Sequence, residues 1–105
     1  MPGFAEVFVE FTPTSQGGRN APVWLGENAA PRYMSHFVVH NGDGTYLGVE
    51  FVDGPDRAIN PGDRTYATVR FLYEPGVSYV SLVEGTTFDI QEGGRTVGSG
   101  RVTRR

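Results

Sequence analysis

The chain contains no cysteine and no lysine. Without cysteine it has no disulfide and no thiolate metal site, so packing and hydrogen bonds must hold its 105 residues together. All nine basic residues are arginine, which reflects either an arginine-rich codon bias or a need for forked guanidinium donors toward phosphate or carboxylate. The net charge of −3 excludes binding to nucleic acid through a broad cationic field, although a local arginine patch is still compatible with it.

Long apolar runs are also missing. No stretch approaches the roughly 18 apolar residues that a membrane-spanning helix needs. The start, MPGFAEVFVEF, lacks the basic region and long apolar run of a signal peptide. We therefore expect a soluble, cytoplasmic protein with no membrane partner. Its length and its 38% hydrophobic content predict one globular domain over residues 1–105.

What the sequence does contain is an alternation of apolar and polar residues with a period of two. Along residues 4–11, one face carries only apolar side chains: Ala5, Val7, Val9 and Phe11. Similar patterns cover residues 33–39, 45–52, 65–73, 86–92 and 95–103, between turns rich in Gly, Pro and Asp. No segment has helical periodicity over about ten residues. Roughly six or seven short strands predict an all-β sandwich or closed barrel.

The sharpest local pattern is the pair Gly93-Gly94 between two alternating segments. A two-residue Gly-Gly loop predicts a hairpin with a type I′ turn, in which both residues have positive φ. Gly98 and Gly100 lie inside the second strand. They indicate a sharp bend or a close approach of another backbone.

Sites for metals, nucleotides and catalysis find little support. The glycine-rich residues 93–100 lack the Lys-Ser/Thr of a P-loop and precede no helix, so we expect no bound nucleotide. His36 and His40 lie about 13 Å apart on one strand, too far to share a metal ion. We interpret both as half-exposed strand residues. Three aspartates fit turn and cap chemistry better than a calcium loop, namely Asp53, Asp56 and Asp63. With no cysteine and no nucleophile beside an identifiable base, we expect no enzyme activity and no cofactor.

Residues 91–102, QEGGRTVGSGRV, resemble REGGRTVGAGVV, the terminal hairpin of bacterial elongation factor Tu. Upstream, GFAEVFVEF resembles the first strand of domain III of that family, GGRNAP resembles GGRHTP, APRYMSHFVV resembles RPQFYFRT, and INPGD resembles VMPGD. These matches run in the family's order over essentially the whole chain. The resemblance implies a six-stranded antiparallel closed β-barrel of the elongation factor Tu domain III type, without the GTPase domain.

The resemblance also implies binding residues. Domain III packs on the other domains of the factor, meets the exchange factor, and contacts the T stem of aminoacyl-tRNA through two loops. By position, these loops correspond here to Gly18, Arg19 and Asn20, and to Gly93, Gly94 and Arg95. A Gly-Gly turn lets backbone N–H groups approach a phosphate closely, and a neighbouring arginine can hold it with two hydrogen bonds.

Other positions depart from the family. The family His and Thr after GGR are Asn20 and Ala21, and residues 30–36 have lost both arginines and the glutamine of RPQFYFR, which contacts the GTPase domain. A barrel that has partly lost its original partners would show this pattern. We expect a non-enzymatic binding module with a protein partner, translation-related or not. The alternative is weak binding of the tRNA T stem through the Arg19 and Arg95 loops.

Two further interpretations rest on the resemblance. The chain begins with Met and ends where the family ends, so we expect a free-standing protein, the other interpretation being an excised domain with an added Met. Trp24 is either an anchor for a protein partner or a plug at one end of the barrel. The family has an aromatic residue nearby, and we expect the plug.

Overall fold

The computed structural model describes residues 3–105, and almost all of its regular structure is β-strand. The strands are β1 (Phe4–Phe11), β2 (Val23–Trp24), β3 (Met34–Val39), β4 (Leu47–Asp53), β5 (Ala58–Ile59), β6 (Arg64–Phe71), β7 (Thr87–Glu92) and β8 (Arg95–Arg104). Within the described residues the only helix is a single 3-10 turn, Thr14–Gln16. None of the described helical structure is long and apolar enough to cross a membrane.

Six of the strands close into a barrel in the order β1-β6-β4-β3-β7-β8, and β8 pairs back onto β1. Every pairing is antiparallel. The predicted all-β fold with a six-stranded antiparallel closed barrel is confirmed. The two remaining strands, β2 and β5, form a separate ribbon. This ribbon was not predicted, because strands of two residues are too short to display a period of two.

The apolar faces predicted from the alternation point into the barrel. The buried side chains from the barrel strands include Ala5, Val7, Val9, Phe11, Phe37, Leu47, Val49, Phe51, Ala67, Val69, Phe71, Phe88, Ile90, Val97 and Val102. Near the centre, the rings of Phe37 and Phe88 stack with their centroids 3.9 Å apart. Burying a large apolar side chain contributes about 1.5–3 kcal/mol, so this interior is the main source of stability.

The ribbon adds to the same core and corrects the interpretation of Trp24. Val23, Leu25 and Ile59 are buried within the apolar cluster. Trp24 is 51% exposed, so the prediction that it plugs the barrel was wrong. Because Val23 faces the core, alternation along β2 directs Trp24 outward, and the following Leu25 fills the interior instead.

The segment between β6 and β7 has no regular structure but contributes two large core residues, Tyr79 and Leu82. The ring of Tyr79 stacks on Phe71 at 4.5 Å, and its hydroxyl donates a hydrogen bond of 2.6 Å to the carbonyl of Gly48. Burial raises the pKa of Tyr79. This residue therefore links the irregular segment to β4.

The β7–β8 hairpin forms as predicted. Gly93 and Gly94 make its tip with φ values of 57° and 88°. In β8, a Cβ on Gly98 or Gly100 would lie 2.5 Å from a backbone oxygen of β1. The predicted close approach of another backbone is confirmed, and it is what lets β8 close the barrel against β1.

Candidate functional site

The structure brings together the two loops that the resemblance picked out. The guanidinium of Arg95, beside the hairpin tip, donates hydrogen bonds to the carbonyl oxygens of Gly17, at 2.9 Å, and Gly18. The loops are neighbours because β1 pairs with β8, and a bond of 2.9 Å from Thr12 N–H to the Val97 carbonyl extends that pairing. No protein-family model matches the chain. The binding role of the loops stays a prediction.

A compact hydrogen-bonded network connects the loop of Gly18, Arg19 and Asn20, called the first loop below, with the barrel. It consists of Arg19, Tyr33 and Glu92. The guanidinium of Arg19 and the hydroxyl of Tyr33 both donate to the same carboxylate oxygen of Glu92. Arg19 also donates to the carbonyl of Ala21 at 3.1 Å and lies 5.4 Å from the centre of the Tyr33 ring. Burial raises the pKa of Tyr33, and the hydrogen bond to the Glu92 carboxylate raises it further. The tyrosine therefore remains a neutral donor to the carboxylate.

These contacts decide how available the predicted phosphate ligands are. The charge of Arg19 is balanced by Glu92, and Arg95 is bonded to two backbone carbonyls. A phosphate would compete with bonds that already exist. Asn20 and the hairpin tip are exposed. The surface of the two loops is therefore accessible, but Arg19 and Arg95 are already hydrogen-bonded within the chain.

A groove of about 770 Å³ opens beside Arg19, between β2 and the segment that leads into β3. Trp24 and Met34 line it and are 51% and 57% exposed. Its polar lining includes Asp56 and Arg32. The guanidinium of Arg32 donates a hydrogen bond of 3.0 Å to the carbonyl of Val52. The volume lies in the range of sites that bind drug-sized ligands or short segments of a partner.

The aspartates behave partly as predicted. Asp53 accepts a hydrogen bond from the N–H of Gly54, and Asp63 accepts one from Asn60, each at 2.9 Å. Turn and cap chemistry is therefore confirmed for these two. Asp56 instead lies in the groove. Within residues 3–105, no three His, Asp or Glu side chains are grouped as a metal site requires.

Sequence reasoning missed a polar series around His40. Its Nδ1 lies 2.8 Å from the Thr87 hydroxyl and its Nε2 lies 2.8 Å from the Asp89 carboxylate. No sequence pattern indicated a base beside the Thr87 hydroxyl. The partners are 47 and 49 residues away from His40, and only the β3–β7 pairing brings them together. All three side chains lie open to solvent on the barrel wall, where the series ties the end of β3 to β7.

Proposed function

We propose that this protein is a non-enzymatic binding module that docks a partner protein in the groove beside β2. One observation carries the proposal, namely that Trp24 and Met34 stand half-exposed along the same 770 Å³ groove. Large side chains of this kind are usually buried, and Trp, Met and Arg are enriched where proteins bind each other. Arg19 and Arg32 add polar groups at the edge of the apolar surface.

The ribbon supports docking of a protein segment. β2 is paired with β5 on one side, and no second strand among the described residues pairs with its other side. An unpaired strand edge offers backbone donors and acceptors to an extended chain. A translation-related partner is the expectation that comes with the resemblance to elongation factor Tu domain III.

Binding of a tRNA stem is the second candidate, favoured by the adjacency of the Arg19 and Arg95 loops. We rank it below protein binding because both guanidinium groups are already bonded within the chain and the net charge is −3. Contact through about two phosphates would be weak, with a slope of log affinity against log salt on the order of −2.

The protein-binding proposal is tested by site-specific photo-crosslinking in the native host. A benzophenone amino acid replaces Trp24 in one variant. In the control it replaces Tyr66, which is 62% exposed on β6 and does not line the groove. We expect a discrete protein adduct from position 24 alone. The same adducts from both positions, or none from position 24, would contradict the proposal.

The tRNA alternative is tested by an anisotropy titration of aminoacyl-tRNA at about 20 mM salt. Arg19→Ala and Arg95→Ala are measured beside the native chain. Binding that is lost in both variants favours the RNA interpretation. No binding by the native chain at this salt concentration eliminates it.

A further inference from the structure

A second cleft, of about 270 Å³, lies on the outer face of the barrel where β3 meets β7. Its lining includes His36, Tyr73 and Gln91, together with Met34. His36 and Gln91 are directly opposite in the β3–β7 pairing, so their side chains lie on the same face of the sheet. The room inside suits a single side chain rather than a larger ligand.

Aromatic rings form the walls of the cleft because one residue in the sheet has no side chain. Gly48 lies opposite His36 on β4, and a Cβ there would stand 2.2 Å from Cε2 of Tyr73. The Tyr73 ring therefore occupies the space above the strand. The His36 ring lies 6.2 Å from it and 5.5 Å from the ring of Tyr46. Tyr46 and Tyr73 are both half-exposed.

Gln91 contributes an unused hydrogen-bond acceptor. Its Nε2 donates to the hydroxyl of Thr96, whereas its Oε1 is buried and has no hydrogen-bond partner among residues 3–105. The residue is 9% exposed. A second such atom is Ser35 Oγ; Ser35 also lines the cleft, although alternation with Met34 and His36 places it on the inward face of β3. A buried acceptor without a partner is costly, and Gln91 lines the cleft, so a rotation of its side-chain amide toward the cleft would give Oε1 access to a donor there.

The aromatic rings of the cleft favour a cationic donor. Among the described residues that line it, Glu92 is the one carboxylate, and its charge is already balanced by Arg19. Aromatic faces attract cations, and a guanidinium can stack on a ring while its N–H groups remain free to donate. A guanidinium can therefore contact the rings and donate to the free acceptor at the same time.

We propose that this cleft binds the guanidinium group of an arginine from the partner protein. The side chain would stack against Tyr73 and donate to Oε1 of Gln91. Met34 lines both the groove and the cleft, so one partner segment spans the two sites. The identity of the donor as a protein side chain rests on the proposed function, whereas the affinity of the cleft for guanidinium does not.

The test is an NMR titration of the isotopically labelled chain with N-acetyl-arginine amide, and with N-acetyl-citrulline amide as its uncharged isostere. We expect saturable shifts of the Gln91 side-chain amide and the Gly93 backbone amide, with a dissociation constant in the millimolar range. Citrulline should bind at least tenfold more weakly. Gln91→Leu and Tyr73→Leu should each weaken arginine binding at least tenfold, whereas Tyr66→Leu should leave it unchanged.

Several results would overturn the proposal. They are the absence of saturable shifts at about 50 mM ligand, equal binding of citrulline, and full affinity in both Gln91→Leu and Tyr73→Leu. If Gln91→Leu fails to fold, Tyr73→Leu alone decides. The titration needs no partner, so a failure of crosslinking at position 24 leaves its outcome untouched, and the two proposals fail separately.

Discussion

Gly17 and Gly18 are neighbours that the first loop needs for different physical reasons. Gly17 ends the 3-10 helix with φ of 93°, and apart from its two chain neighbours a methyl group there would meet no atom of residues 3–105 within 4 Å. At Gly18, a Cβ would lie 1.8 Å from the carbonyl oxygen of Thr12 and 2.6 Å from its carbonyl carbon. Gly17→Ala therefore strains one residue, whereas Gly18→Ala forces two backbone segments apart.

The expected magnitudes follow from this geometry. Left-handed alanine costs about 1–2 kcal/mol, and the smaller entropy of the unfolded alanine chain offsets part of it, so Gly17→Ala should cost about 1 kcal/mol. At Gly18, the methyl group and the Thr12 oxygen must separate by more than about 1 Å to reach contact distance. That movement weakens the 3.0 Å bond from Gly18 N–H to Pro13. Overpacking and the lost bond together should cost about 3 kcal/mol.

The comparison uses urea unfolding of both variants beside the native chain, followed by circular dichroism, with the slope m as the check on two-state behaviour. In thermal unfolding of the same variants, the melting temperature should fall by about 5 °C for Gly17→Ala and about 12–20 °C for Gly18→Ala. If the two variants lie within about 0.5 kcal/mol of each other, the close approach to Thr12 does not constrain the loop. Gly18 would then require another explanation, such as contact with a ligand.

Two further perturbations test the network around the loops. Arg95→Ala removes hydrogen bonds to two loop carbonyls and should lower the free energy of unfolding in urea by about 1 kcal/mol. The control Arg57→Ala breaks an exposed ion pair of 3.8 Å and should stay within about 0.5 kcal/mol of the native chain. Equal effects of the two substitutions would contradict the role of Arg95. Because the pKa of Tyr33 is raised, the folded chain keeps a proton that the unfolded chain loses above about pH 10, so stability falls as pH rises through that range. Tyr33→Phe should therefore lose less stability than the native chain between about pH 8 and pH 11, and an equal loss would refute the assignment.

The barrel strands were predictable because each shows its own pattern locally. Every barrel strand has six or more residues, enough for the alternation to reveal a core face. The hairpin needed only Gly93 and Gly94, since positive φ at two adjacent positions is a demand of the turn itself. In these cases the physics that sets the structure acts between near neighbours in sequence.

The contacts that make up the sites were not predictable, because they depend on which strands become neighbours. Arg19 and Glu92 are 73 residues apart, and only closure of the barrel brings them together. Because β2 has only two residues, alternation could not show that Val23 and the following Leu25 face the core while Trp24 faces solvent. The cleft likewise requires the glycine of β4 to lie opposite His36.

The residues that carry the resemblance also have structural roles in the barrel. The glycines of the two loops meet backbone demands, and the two arginines tie those loops to each other and to Glu92. A barrel needs such residues whether or not it meets RNA, so their presence is a property of the fold before it is a sign of function. Side chains that the fold does not need are better evidence of function. Trp24 and Met34 leave large apolar surfaces in water, and Gln91 buries an acceptor that has no donor among residues 3–105. Because Met34 lines both the groove and the cleft, the proposed partner segment, apolar with an arginine beside it, would contact both sites.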